Sequence, residues 1–327
     1  MHATIPFVNR EEELRVLEKM SYTGRYLPLY IYGPEGCGKT RLMKELVNLL
    51  NRRENYITLY IDTHSPTRTV EEALKPTIQK IIDIVGEVME GVQEPIGKSI
   101  ALLLSKILNQ IAGKIRVKGK HLTIIIDEVS TSIGLEKTSW YLKYLQNLSE
   151  TLLETHKPES ILIIATTSEG QSLSEVMRHT YTDVKLIWNL NEESAKKLLL
   201  ELGISSEKKQ DEIWRLTGGN PRAIIEIVRD YEGDINAWKE KISNIRITPM
   251  LKQVKEKGLI KHLVKAVETP DDITETLEQI LIQHNLIIYK APRTLTNSKV
   301  EENSELGIGK YYAWQIPVYR EVLKEIL

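Results

Sequence analysis

Cysteine occurs once in the 327 residues, as Cys37, and phenylalanine once, as Phe7. One cysteine cannot close a disulfide within the chain, so a reducing, cytoplasmic setting is expected. The same scarcity excludes Cys-rich zinc sites, and the seven histidines show no metal-ligand spacing. No apolar run approaches the roughly 18 residues of a membrane span. The opening Met-His-Ala-Thr-Ile-Pro lacks a signal peptide's apolar stretch. A dominant charge is missing too: the formal net charge is −1, so no global basic field draws the chain to nucleic acid, and any such contact needs a local patch. Internal repeats and low-complexity tracts are absent. What remains is a chain that is 41% hydrophobic and long enough for two or three domains.

The stretch 29–49 carries the first positive signal. A short apolar run, Leu-Tyr-Ile-Tyr, leads into Gly33-Pro34-Glu35-Gly36-Cys37-Gly38-Lys39-Thr40. Arg41 and a segment with apolar residues at 42, 43, 46, 47, 49 and 50 follow. Strand, glycine-rich turn and amphipathic helix in that order form a P-loop, or Walker A motif. Glycines let backbone N–H groups wrap a phosphate without Cβ clashes, and the helix aims its positive end at the anion. Lys39 is expected against the β- and γ-phosphates of ATP, and the Thr40 hydroxyl on Mg²⁺.

The second signal is His121-Leu-Thr-Ile-Ile-Ile-Asp127-Glu128. An apolar strand, expected to be buried on both faces, ends in two acids, which is a Walker B pattern. Asp127 is the expected Mg²⁺ ligand and Glu128 the expected general base on the attacking water. Further strands are expected at 56–62, 160–167 and 184–188, and helices at 69–85 and 96–115. Lys98, Lys106, Lys114 and Arg116 interleave with the apolar residues of the last segment. They allow a membrane-surface reading beside the commoner one of packing on the sheet. Before the P-loop, Asn9 precedes Glu11, Glu12 and Glu13, which suits a capped helix.

From 191 the pattern turns helical: 192–202, 207–216, then Gly219-Asn220-Pro221-Arg222 opening another helix. Beyond 246 the sequence predicts helices at 251–267 and 273–284, a strand at 286–289, a polar hairpin tip at 291–309, a return strand at 311–315 and a helix at 318–327. The linker 268–272 is too short for the middle helix of a helix-turn-helix. The second helix opens with Asp271, Asp272, Glu275 and Glu278, acids that would repel DNA, so Arg293, Lys299 and Lys310 of the hairpin are the better DNA candidates. With twelve basic and eleven acidic residues from Arg246 onward, the tail has no electropositive footprint.

The motif order at 7–13, 33–40, 124–128, 165–168 and 219–221 resembles the archaeal P-loop ATPases related to STAND and origin-recognition ATPases, within the AAA+ group. The resemblance covers nearly the whole chain. It implies an α/β fold with a parallel sheet between helices in residues 1–190, a helical lid in 191–245 and a degenerate winged helix in 246–327. It implies that ATP or ADP binds with Mg²⁺. In such ATPases the segment holding Val8, Asn9 and Arg10 reads the adenine edge; Asn9 stands here where glycine is usual. The proline at 221 packs on the adenine, and Arg222 is a candidate second sensor of the γ-phosphate. Thr167, with Thr166 and Ser168 as rivals, is the candidate first sensor. Arg178 is either an arginine reaching a neighbouring subunit's γ-phosphate or a plain surface residue.

Three functions follow as expectations. One is an ATP-hydrolysing switch acting on a protein client. The second is a DNA-binding initiator or mobile-element regulator in which ATP sets the conformation. The third is a scaffold that self-associates on ATP. No membrane partner is expected.

Overall fold

The computed structural model describes residues 5–62, 118–129, 135–168 and 170–327. The helices expected at 69–85 and 96–115 lie outside these residues. Five parallel strands form the main sheet: β1 (Leu29–Tyr32), β2 (Tyr56–Asp62), β3 (His121–Asp127), β4 (Ser160–Thr167) and β5 (Asp183–Leu186), in the order β2-β3-β4-β1-β5. β4 therefore separates the strand leading into the glycine-rich loop from the strand ending in the two acids. Every residue of β1, β3 and β4 is buried. That accounts for their largely apolar sequences without polar alternation, since a parallel sheet covered on both faces leaves no solvent side to alternate with.

Side chains still alternate between the two covers. Helices α1 (Glu11–Thr23) and α2 (Lys39–Leu50) cover one face, where Leu17, Leu42, Met43 and Leu46 pack with Leu29, Ile31, Ile125, Leu162 and Ile164. Helices α3 (Leu135–His156) and α4 (Gln171–Met177) cover the other, where Leu145, Leu148, Leu173 and Val176 meet Tyr30, Ile124, Ile126, Ile163 and Ala165. Each fully buried leucine or isoleucine contributes roughly 1.5–3 kcal/mol relative to exposure.

The helices that follow are α5 (Glu192–Glu201), α6 (Glu207–Thr217), α7 (Pro221–Ile225), α8 (Ile235–Ile242), α9 (Thr248–Glu256), α10 (Ile260–Glu268), α11 (Glu275–Gln283) and α12 (Pro317–Ile326). Wider π-helical turns at Glu226–Asp230 and Ser243–Ile247 follow α7 and α8. One buried cluster runs through all of this, from Leu198, Ile213 and Trp238 to Leu263, Leu281, Trp314 and Leu323.

Two expectations for this part need correction. The single helix expected at 251–267 is two, α9 and α10, broken at Lys257–Gly258, where Gly258 has φ +68°. Three helices thus precede the antiparallel hairpin of β6 (Ile287–Tyr289) and β7 (Tyr312–Trp314). The hairpin connection is also no free tip. Leu186 of β5 donates its N–H to the Arg293 carbonyl at 3.0 Å, and Leu295 donates to the Leu186 carbonyl at 3.0 Å. The segment around Thr294 therefore covers the edge of the main sheet, satisfying backbone groups that an edge strand would otherwise expose.

Candidate nucleotide site

A cavity of about 650 Å³ opens at the carboxyl ends of β1, β3 and β4, beneath α5 and α7. That is where open α/β sheets place their ligands. Its floor is the loop joining β1 to α2. Gly36 and Gly38 take φ of +82° and +99°, a region closed to most residues with a side chain, so the loop curls and α2 begins at Lys39 with its N–H groups facing the cavity. Lys39 is buried, and its Nζ donates to the carbonyls of Gly33 (2.9 Å) and Pro34 (3.1 Å), which holds the ammonium over the loop.

The acids close one side. Asp127 pairs in register across the sheet with Asp62 and is 2% exposed. Its Oδ2 accepts from the Tyr60 hydroxyl at 2.7 Å, and its Oδ1 accepts from the Thr166 hydroxyl. Burial, reinforced by the Asp127 charge, raises the Tyr60 phenol well above its ordinary pKa, so this donor keeps its proton. Glu128 breaks from the strand with φ +57°. Its N–H donates to Thr166 Oγ1 (3.1 Å), and its Oε2 accepts from the Ser168 hydroxyl (2.9 Å) and backbone N–H (3.1 Å).

The three first-sensor candidates, Thr166, Thr167 and Ser168, differ in where they point. Thr166 and Ser168 reach the acids, whereas Thr167 shares the strand face of Ile163 and Ala165, away from α2. The reason is register: Ile126 lies opposite Ala165, so the residue after each, Asp127 and Thr166, falls on one face.

The opposite end of the cavity is apolar, lined by Ile5, Pro6, Phe7, Val8, Leu190, Leu198, Pro221 and Ile225. Asn9 helps shape it without lining it. Its φ is +48°, the left-handed conformation that asparagine tolerates best after glycine. The expected helix cap by Asn9 is not made: Arg10 occupies the cap position, and the Asn9 amide bonds Ser194 Oγ and, at 3.5 Å, Asn191 Oδ1. Arg10 lines the cavity, yet its guanidinium is committed to protein: Glu13 at 2.8 Å, the Cys37 carbonyl at 3.0 Å and the Trp188 carbonyl. Cys37 is fully buried beneath the loop, its Sγ 3.5 Å from the Ile187 carbonyl.

Of the residues singled out by sequence, Val8, Arg10, Gly36, Cys37, Gly38, Lys39, Thr40, Arg41, Glu128, Pro221 and Arg222 line this one cavity. Among the described residues, Gly33, Pro34, Glu35, Asn9, Asp127 and Thr167 stand behind that lining, and Arg178 is elsewhere. Arg178 ends α4, is largely exposed, pairs with Glu175 at 3.0 Å and faces a separate cleft against α11. Three contributors were missed by sequence reasoning. Asn220 caps α7 by accepting from the Ala223 N–H (3.2 Å) and donates to the Glu35 carbonyl (2.9 Å). Arg246 donates to Glu35 Oε2 (3.0 Å), and Gln315 Oε1 accepts the Glu35 N–H (2.8 Å). Only the Asn220 cap had a local signal, an asparagine ahead of a proline in the first helical turn.

Two acids that were expected to repel DNA are turned inward. The Asp271 carboxylate accepts from the backbone N–H groups of Lys310, Tyr311 (2.8 Å) and Tyr312 (2.8 Å), and Glu278 accepts from the Tyr312 hydroxyl at 2.7 Å. No described helix is long and apolar enough to cross a membrane.

Curated relatives of the chain are named for nucleotide binding. It is 24% identical to an uncharacterized ATP-binding protein of Pyrococcus horikoshii over 306 residues, covering 86% of this chain and 92% of the relative. A second uncharacterized ATP-binding protein, from Pyrococcus abyssi, is 24% identical over 285 residues, covering 79% and 83%. Among solved structures, Cdc6p of Pyrobaculum aerophilum matches with a TM-score of 0.46 at 12% identity, over 100% of this chain and 97% of that one. The family described as "ATPase domain predominantly from Archaea" matches residues 7–227, more than half of the sequence, and the chain belongs to that family.

Proposed function

We propose that the chain is an ATP-hydrolysing switch that couples nucleotide state to its lid and C-terminal helices. One observation carries this reading: a buried lysine, a helix N-terminus, the Glu128 carboxylate and an apolar recess all line one cavity. The apolar recess, lined by Val8, Leu190 and Pro221 among others, fits a base. The glycine-rich loop and Lys39 fit the phosphates. The names of the Pyrococcus relatives support the same ligand.

Thr40 and Asp127 are the residues that would hold Mg²⁺, which when bound neutralises charge building up on the phosphates. Among the described residues there is no group of three metal-ligating side chains. Mg²⁺ does not require one, because it is commonly held through one or two carboxylates together with phosphates and water. Glu128 accepts the proton of the attacking water, positioned by Ser168 through two hydrogen bonds. Lys39 stabilises the phosphate oxygens, and Arg222, on the cavity rim, adds a second positive charge. Residues 1–190 act as the core, 191–245 as the lid, and 246–327 as a winged helix that carries the output to a client. An ATPase assay on the purified chain tests this. The expected result is Mg²⁺-dependent turnover that falls about a hundredfold or more in Glu128→Gln while nucleotide binding persists. Retained turnover removes the assignment of Glu128.

A DNA-binding reading gains from the third helix, α10, and from the inward turn of Asp271 and Glu278. It loses from the docking of the Arg293–Leu295 backbone on β5. Duplex binding that weakens steeply with salt supports it, and no binding at low salt removes it. Self-association through Arg178 predicts a larger species with a nonhydrolysable ATP analogue that Arg178→Ala abolishes.

A further inference from the structure

Glu35 lies inside the glycine-rich loop, yet none of its polar groups is turned toward the cavity. Its N–H is taken by Gln315 Oε1 (2.8 Å) and its carbonyl by Asn220 Nδ2 (2.9 Å). Its carboxylate is shared by two guanidiniums, Arg222 on Oε1 (2.7 Å) and Arg246 on Oε2 (3.0 Å). These partners come from the lid, from the turn ahead of α9 and from the residue after β7, so three separate elements converge on one residue of the loop.

Arg222 occupies the wall between two cavities. It lines the large one beside Lys39 and Glu128, and also a smaller one of about 180 Å³ with Glu35, Arg246, Glu226 and Lys241. Its backbone N–H donates to the Gly36 carbonyl at 3.3 Å, which fixes its Cα beside the loop while 57% of the side chain stays exposed. The guanidinium is therefore tethered at its base and only lightly held at its head, since partly exposed ion pairs are weak. A terminal phosphate presents more charge and more acceptor oxygens than a carboxylate and is the stronger partner for arginine.

We propose that Glu35 is a positioning residue that competes with the γ-phosphate of the nucleotide for Arg222. In the structure Glu35 holds Arg222 at the rim. A γ-phosphate draws Arg222 across the wall, and Glu35 keeps its bond to Arg246, so the loop stays attached to the C-terminal helices while the lid arginine changes partner. The inference rests on the nucleotide reading above and adds to it how the third phosphate is distinguished. Arg246 sets the balance: while it shares the carboxylate, Arg222 is easier to release.

Titration calorimetry with Mg²⁺ and either ADP or a nonhydrolysable ATP analogue reads the preference directly, as the ratio of the two dissociation constants. Glu35→Gln is expected to raise the preference for the analogue about fivefold, the size of one exposed ion pair. Arg246→Ala is expected to lower it, because the whole carboxylate then rests on Arg222. Adding Arg222→Ala to Glu35→Gln is expected to erase the gain. Opposite signs for Glu35→Gln and Arg246→Ala are what a merely structural loop contact would not produce. Equal weakening of both nucleotides, or an unchanged ratio in both variants, overturns the proposal while leaving the nucleotide reading intact. Failure of the unmutated chain to bind either nucleotide overturns both.

Discussion

At the floor of the cavity, Gly36 and Gly38 take φ of +82° and +99°, and Lys39 is held by carbonyls five and six residues away. At the roof, Asn220, Arg222, Arg246 and Gln315 reach Glu35 across 185 to 280 residues of chain. The floor is shaped by backbone sterics within one short stretch. The roof is placed by side-chain hydrogen bonds between elements that meet only in the folded protein. A floor of the first kind stays in place when ligand comes and goes. In a roof of the second kind the partly exposed ion pairs of Arg222 and Arg246 with Glu35 are individually weak and exchangeable.

That difference can be broken where floor and roof touch. A Cβ on Gly36 would lie 2.6 Å from Arg222 Cβ and 2.8 Å from Asn220 Oδ1, at a φ that side chains rarely adopt. Gly36→Ala is therefore expected to cost about 3 kcal/mol, combining left-handed strain with overpacking, read as a lower midpoint in urea unfolding. Asn220→Ala tests the roof alone. Asn220 is almost fully buried and serves as the cap of α7, a donor to the Glu35 carbonyl and a donor to Asn189 Oδ1 (2.9 Å). Its loss is expected to destabilise by about 2 kcal/mol and to weaken nucleotide binding as α7 leaves the loop.

The smallest effect lies farthest from the floor. His284 bonds Gln253 Oε1 at 3.0 Å, and burial, then the nearby Arg246 charge, lower its pKa below the usual histidine value. A lowered pKa means that the unfolded chain takes up this proton first. The contribution is present above about pH 6.5 and is lost as pH falls toward the folded-state value. His284→Gln is expected to flatten the loss of stability as pH falls below about 6.5, measured by urea unfolding over a series of pH values. An unchanged slope contradicts it.

The same contrast explains what the sequence made legible. The strand, loop and helix at 29–49, the strand ending at Asp127 and the strand at 160–167 were readable, because each depends on local pattern and on a few consecutive residues. The break between α9 and α10 had a signal that was passed over, a glycine after a lysine within an apolar periodicity. Which of Thr166 and Thr167 shares the face of Asp127 was not readable, since it turns on the register of β3 with β4, and a shift of one residue exchanges the faces. Asp271 looked like a surface acid because its partners, the N–H groups of Lys310, Tyr311 and Tyr312, carry no sequence identity. Glu35 read simply as part of the phosphate loop, because all four of its partners are distant in sequence.

The central claim is that the cavity between loop and lid binds an adenosine nucleotide through Lys39. Titration of the purified chain and of Lys39→Ala with ATP and Mg²⁺ tests it most directly. Saturable binding of one ATP per chain, abolished or severely weakened in a Lys39→Ala protein that unfolds at the same urea concentration, is the predicted result. Equal binding by both proteins, or none by either, would contradict the account.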